Sequence, residues 1–264
     1  MTQINRIANG SKKLAVAAMI VVVTFGLGAT SASAYVLGPT TPGKWGGSTF
    51  GTGATVTYSF MADGVSCAAE FLGCTITSFA TLFSSVSGWQ TAVTNSFAAW
   101  SSVANLTFSL VADDGAAFNA ATVSGDIRLG AHTFDGPGGN LAHGFYPPAN
   151  GVGDNSAAGD IHFDSSETWK VGFGGSGFDI FQVLTHELGH ALGLNHTAVT
   201  ASLMNPFYSE AFTGPQADDI AGMQHIYGVT PVPEPEIYAM LGIGLGLMGF
   251  VARRKKPALQ STAS

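Results

Sequence analysis

One eleven-residue stretch carries the residue types of a metal site. His186 and His190 are four residues apart, so on a helix their imidazoles lie about 40° apart on one face and can bind one ion. His196 follows beyond Gly193, a residue type that lets the backbone leave a helix through a left-handed conformation. Three neutral imidazoles suit Zn²⁺ and leave a fourth position open for water. Glu187 lies beside that position, where a carboxylate can take a proton from the water and pass it to a leaving amine.

The length of this pattern favours a catalytic zinc over a chance match. A short His-Glu-x-x-His sequence also occurs on helices that bind no metal. Three histidines, one glutamate and one glycine in register are not expected of an ordinary core helix. The extended pattern resembles the metzincin metallopeptidases, and Thr197, a small hydroxyl residue after the third histidine, resembles the matrixins within that group.

The residues after the third histidine extend the resemblance. Residues 202–206, Ser-Leu-Met-Asn-Pro, resemble the matrixin Met-turn. By that resemblance Met204 forms an apolar floor under the zinc. Pro206, Phe207 and Tyr208 would then line the pocket for the substrate residue after the scissile bond, which implies a preference for hydrophobic side chains.

Both ends of the chain have the composition of targeting segments. Basic residues precede an apolar run over 14–27, and small residues end at Ala34, which predicts a signal peptide over 1–34 that signal peptidase removes. Export to an oxidising compartment favours one local disulfide between Cys67 and Cys74. The alternative, a cysteine switch that caps the zinc, is disfavoured because its Pro-Arg-Cys-Gly setting is absent.

The C-terminal segment, 230–264, begins with a proline-rich linker. An apolar stretch, Ile237 to Ala252, and four basic residues follow. Sixteen helical residues span only about 24 Å, less than a bilayer core of about 30 Å. This order resembles the PEP-CTERM sorting signal of Gram-negative bacteria. The resemblance implies transient insertion in the inner membrane, cleavage by an exosortase-type enzyme and delivery to the cell surface or extracellular matrix; a plain tail anchor is the alternative.

The charge balance excludes some partners. Between residues 35 and 230, three basic residues stand against fifteen acidic ones, a formal charge of −12. Such a domain repels nucleic acid and favours bound cations. We expect one catalytic domain over 35–229, acting as a monomer on a protein or peptide substrate.

The hydrophobic periodicity predicts the elements that hold these residues. Residues 54–61 alternate as a strand, 89–103 form an amphipathic helix, and 106–111 and 126–131 are strands. Asp179 is expected to cap the helix that begins near Ile180, and residues 215–228 contain a last helix. Residues 67–87 are expected to be an insertion outside the resemblance, which otherwise covers most of 44–228. The resemblance implies an α+β matrixin-like fold with a mixed, twisted five-stranded sheet and three main helices.

Two further metal sites are expected from the resemblance over 132–169. A glycine-rich loop and a following acidic strand resemble the segments that hold a structural calcium, which needs six to eight oxygen ligands. The calcium set would be Asp135, Gly136, Gly138, Asn140, Asp164 and Glu167. A polar turn with solvated acids is the alternative.

A structural zinc is the second of these sites. His143 and His162 match the family's ligand positions, and His132 could be a third. The family's Asp ligand is deleted here, so water or a nearby acid would complete the site. The alternative is two strand histidines bonded to backbone carbonyls. By the same resemblance, residues 141–145 pair with an extended substrate.

The function that these features predict is a secreted zinc endopeptidase. A surface or biofilm-matrix protein whose metals are only structural is the second hypothesis. Glu187 favours the enzyme, because a structural zinc needs no base beside an open position.

Overall fold

The computed structural model describes residues 34–40, 43–149, 157–231 and Met248. The predicted signal peptide, apart from Ala34, and the apolar tail segment, apart from Met248, lie outside these ranges. Within the described ranges, no helix has the length and apolar character needed to cross a membrane.

The elements follow in chain order: β1 (Val36–Leu37), β2 (Ala54–Phe60), α1 (Phe79–Leu82), α2 (Trp89–Ser101), β3 (Leu106–Leu110), β4 (Ile127–His132), β5 (Ala142–Gly144), β6 (Ile161–Asp164), β7 (Trp169–Lys170), β8 (Phe178–Asp179), α3 (Ile180–Ala191), β9 (Leu194–Asn195) and α4 (Ala217–Tyr227).

The main sheet has five strands in the order β3-β2-β4-β6-β5. The first four are parallel, and β5 pairs antiparallel with β6 along the edge. Every residue of β4 is buried, as is typical of a central strand covered on both faces. The expectation of an α+β fold with a mixed five-stranded sheet is confirmed.

Two long helices pack together under this sheet. The Trp100 indole N–H of α2 donates to the Thr185 carbonyl of α3 at 2.9 Å, and both aromatic and aliphatic side chains fill the space between the helices and the sheet. Ten of the twelve residues of α3 are buried, so this helix is held on nearly all sides. A helix packed in this way can fix metal ligands rigidly.

Residues 67–87 are not a peripheral insertion. Phe79 and Phe83 are fully buried in the main core, against Phe163 of β6. Cys67 and Cys74 form a disulfide, and Cys67 packs with Met61 in a second apolar cluster on the other side of the sheet. The sequence analysis placed no element here because small polar residues between the aromatic ones hide the periodicity.

Candidate metal centre and active-site cleft

Helix α3 and the turn after it bring the three motif histidines together. The Asp179 carboxylate caps α3 by accepting the backbone N–H of Gln182 at 2.8 Å. The helix ends at Ala191, and Gly193 turns the chain with φ +109°. A Cβ at this glycine would lie 2.1 Å from the Gly43 carbonyl oxygen, so the turn needs glycine for space as well as for conformation. His196 then lies opposite the helix.

The distances between the imidazoles fit one tetrahedral ion. His196 Nε2 lies 3.2 Å from His186 Nε2 and 3.0 Å from His190 Nε2. Tetrahedral ligands about 2.05 Å from a zinc ion lie about 3.3 Å from each other. The three nitrogens are thus close to the separation that zinc requires.

The other ring nitrogens fix the orientation of the two helical histidines. His186 Nδ1 lies 2.6 Å from the Leu203 carbonyl oxygen, and His190 Nδ1 lies 2.8 Å from that of Leu194. In a neutral imidazole this places the proton on Nδ1, so both Nε2 lone pairs point at His196. Burial lowers the pKa of His186 to about 4 and that of His190 to about 3, which keeps both rings neutral near pH 7. Lone pairs that converge without protons are the donor set of a cation, and three imidazoles fit zinc.

Glu187 lies between the helix and the edge strand β5. Its side chain is buried, and burial raises its pKa to about 8, while a hydrogen bond from the Gly144 backbone N–H opposes that rise. A Cβ at Gly144 would lie 2.6 Å from the Glu187 carbonyl oxygen, so β5 runs against α3 at this point. Nothing in the sequence around Gly144 indicates this role. A buried carboxylate with a raised pKa suits a group that both accepts and donates a proton.

The Met-turn residue Met204 lies under the helix. Its side chain is buried, and a Cβ at Gly189 would clash with its sulfur, so the thioether packs directly on α3. The Asp219 carboxylate of α4 holds this turn through the backbone N–H groups of Leu203 at 2.7 Å and Met204 at 3.0 Å. The sequence analysis gave Asp219 no role beyond the last helix; its contact with the Met-turn connects residues that are distant in sequence.

A cleft with a volume of about 380 Å³ opens in front of His186, Glu187 and His196. Pro206, Phe207 and Tyr208 line it, together with residues 138–142. The Tyr208 hydroxyl accepts the Asp179 backbone N–H at 2.9 Å and donates to Glu210 at 2.7 Å. Strand β5 forms the edge of the sheet, in the position expected for pairing with an extended chain.

A family model described as Matrixin matches residues 72–228, more than half of the chain. The chain belongs to the matrixin family. A second model, described as the PEP-CTERM protein-sorting motif, matches residues 231–256. The family implies a catalytic zinc, in agreement with the geometry of the three histidines. The family match begins at residue 72, so the expectation that all of 67–87 lies outside the resemblance is wrong for 72–87.

Similar curated proteins are larger. Interstitial collagenase of Sus scrofa is 42% identical over 145 residues, which cover 54% of this chain and 29% of the collagenase. Stromelysin-3 of Rattus norvegicus is 40% identical over 152 residues, covering 54% of this chain and 28% of the relative. Matrix metalloproteinase-25 of Homo sapiens is 44% identical over 107 residues, covering 38% and 18%. The chain spans less than a third of the length of these curated relatives.

A second cluster lies behind the edge strand of this matrixin. His132 at the end of β4, His143 on β5 and His162 on β6 surround the carboxylate of Glu70. Burial lowers the pKa of His162 to about 4. The three histidines were predicted to lie together, but Glu70 was not identified. It precedes the family match by two residues, so only its position in the folded chain reveals it.

The residues predicted to bind calcium lie in the loop before β5 and at or just after the end of β6. Asp135 Oδ2 accepts the Asn140 side-chain amide at 2.9 Å, and Glu167 Oε1 accepts the Gly138 backbone N–H at 2.5 Å. Asp164 is fully buried, and its Oδ2 has no hydrogen-bond partner among the described residues. Asp135, Asp164 and Glu167 do not form one cluster of converging ligand atoms in the described part of the chain, so the calcium site stays a prediction.

Proposed function

We propose that this matrixin is an exported zinc endopeptidase with Glu187 as its general base and acid. The observation that carries the proposal is the convergence of three Nε2 atoms, from His186, His190 and His196, beside a buried carboxylate. A metal that only stabilised the fold would need neither the carboxylate nor an adjoining cleft.

The catalytic chemistry divides between the metal and the chain. Zinc held by the three imidazoles supplies a Lewis acid and lowers the pKa of a bound water. Glu187 accepts the proton of the attacking water and then donates it to the leaving amine. The Gly144 N–H bonds to the Glu187 carboxylate and orients it toward the cleft. The carbonyls of Leu203 and Leu194 hold the helical imidazoles in the tautomer that presents Nε2.

The shape of the cleft supports an extended peptide substrate. The free edge of β5 can hydrogen-bond a substrate strand, which selects backbone conformation and not sequence. The pocket beside Pro206 and Tyr208 also contains Phe178 and Leu203. These apolar walls favour a hydrophobic side chain after the scissile bond.

The terminal signals support a route through the inner membrane. Signal peptidase would cleave after Ala34, leaving a catalytic domain over 35–229. The sorting motif over 231–256 suggests export in a Gram-negative bacterium and processing by an exosortase-type enzyme. The protein would then reach the cell surface or extracellular matrix as a monomer.

Two structural metals complete the proposal. The loop of Asp135 and the strand end of Asp164 and Glu167 would hold calcium, for which the unpartnered Asp164 oxygen is the best support. His132, His143 and His162 would hold a second zinc, supported by the convergence of their ring nitrogens.

A series of quenched fluorescent peptides tests the endopeptidase proposal. Peptides with leucine after the scissile bond should be cleaved faster than those with aspartate, and a chelator should abolish cleavage until zinc is restored. If no peptide or unfolded protein is cleaved by the zinc-loaded chain, the second hypothesis, a surface or biofilm-matrix component with structural metals, gains support.

A further inference from the structure

Glu70 occupies the position that a fourth metal ligand would take. Glu70 Oε1 lies 2.7 Å from His143 Nε2 and 3.3 Å from His132 Nε2, and Oε2 lies 2.7 Å from His162 Nδ1. Three nitrogens and one carboxylate oxygen form a ligand set that zinc accepts. We propose that Glu70 is the fourth ligand of the second zinc, and that the Cys67–Cys74 disulfide makes retention of this zinc dependent on oxidation. This rests on the second zinc proposed above and not on peptidase activity.

The hydrogen bonds of the cluster account for only part of its polar atoms. His132 Nδ1 lies 3.1 Å from the Thr133 carbonyl oxygen, so in a neutral ring the proton is on Nδ1. The Nε2 lone pair then faces the Glu70 carboxylate, which is also only an acceptor. His143 Nε2 is close to Glu70 but makes no hydrogen bond of acceptable geometry among the described residues. A buried lone pair and a carboxylate that face each other are stabilised by a cation between them.

The position of Glu70 depends on a short disulfide-closed loop. The Glu70 backbone N–H donates to the Cys67 carbonyl at 2.9 Å, and the Cys67 N–H donates to the Cys74 carbonyl at 3.1 Å. The ring of Phe71 lies 5.2 Å from that of His132, and Cys67 is fully buried. The disulfide therefore joins the loop that carries Glu70 to a buried anchor in the second apolar cluster.

Reduction would open this loop. A phosphine takes the oxygen of one water molecule and becomes its oxide, the sulfur–sulfur bond of Cys67 and Cys74 breaks, and each sulfur gains a proton. Closing this eight-residue loop removes entropy from the unfolded chain that corresponds to about 65-fold in an equilibrium constant. The site would thus be complete only after export to an oxidising compartment.

The second zinc would also support the catalytic cleft. His143 precedes Gly144, whose N–H bonds to Glu187, and both belong to the edge strand β5. A metal that binds His143 together with Glu70 and His162 would tie this strand to the sheet behind it. The position of β5, which forms the inner wall of the cleft, would then depend on metal binding by Glu70.

Zinc content of the purified full-length chain tests the proposal. Wild type should hold two zinc ions per chain, and Glu70→Gln, which keeps the shape but removes the charge, should hold one, with affinity for the second zinc reduced more than about 100-fold because a direct ligand is lost. Leu72→Ala is the matched control, since Leu72 is fully exposed on the same loop, and it should hold two. If Glu70→Gln retains two zinc ions with an unchanged cobalt-substituted absorption spectrum, Glu70 is not a ligand.

A second experiment, with a reductant, tests the proposal on the wild type if Glu70→Gln does not fold. Treating wild type with a phosphine in the presence of a competing chelator should release one zinc ion at least tenfold faster than in the oxidised protein. Equal release rates would overturn the disulfide dependence. A wild type with one zinc ion that still cleaves peptides would overturn the second site alone, whereas two zinc ions without cleavage would overturn only the proposed activity.

Discussion

Replacing Gly193 by alanine tests two features of the turn before His196, its left-handed backbone and its close approach to Gly43. The backbone has φ +109°, which costs a residue with a side chain about 1–3 kcal/mol. The new Cβ would lie 2.1 Å from the Gly43 carbonyl oxygen, and because this atom belongs to the backbone, the chain itself must move. Overpacking of this kind costs a further amount of about 1–3 kcal/mol. The expected loss in the free energy of unfolding is therefore about 2–6 kcal/mol.

The same movement should displace a metal ligand. His196 follows Gly193 by three residues, and its Nε2 lies 3.0 Å from His190 Nε2. Urea unfolding with and without zinc measures both effects. In wild type, zinc should raise the free energy of unfolding; in Gly193→Ala this increment should fall by at least about 1.4 kcal/mol, which corresponds to tenfold weaker binding.

Gly88→Ala is the matched control. Gly88 has φ +83°, but its Cβ would meet no atom within 4 Å, so only the conformational cost of about 1–3 kcal/mol applies. Its zinc increment should equal that of wild type. If both variants lose the same stability and keep the same zinc increment, the close approach of Gly193 to Gly43 does not hold the ligand in place.

Two other predictions concern pH and calcium. In the metal-free protein, burial lowers the pKa values of His186 and His190 to about 4 and 3, so the unfolded chain binds more protons and stability should fall as pH drops from 6.5 to 4. Burial raises the pKa of Glu187 to about 8, so stability should also fall from pH 6.5 to 8, and Glu187→Gln should remove that second fall in urea titrations. Calcium removal should lower the Tm, and Asp135→Asn should reduce this calcium dependence; a Tm indifferent to calcium in wild type would contradict the proposed site.

The catalytic motif could be predicted because its geometry is local. His186, Glu187 and His190 belong to one helix, and a single glycine determines where the chain turns toward His196. Helical periodicity and the left-handed preference of glycine are properties of short segments, so eleven residues suffice. The alternation over β2 was predictable for the same reason.

The residues that the sequence analysis missed act over long distances along the chain. Glu70 meets His132 and His162, which follow it by 62 and 92 positions, and nothing in its own segment indicates a ligand. Asp219 reaches the Met-turn from another helix, and Gly144 reaches Glu187 from an edge strand. These contacts depend on how the sheet and helices pack, which periodicity does not specify.

In the proposed mechanism, Glu187 transfers a proton from the attacking water to the leaving amine at a zinc site. Zinc content and casein cleavage should be measured together on purified full-length wild type and Glu187→Gln. Both proteins should hold the catalytic zinc, because Glu187 is not a ligand, and cleavage in the variant should fall at least about 100-fold, as is typical when a general base is removed. A zinc-loaded Glu187→Gln protein that cleaves casein at the wild-type rate would contradict this mechanism.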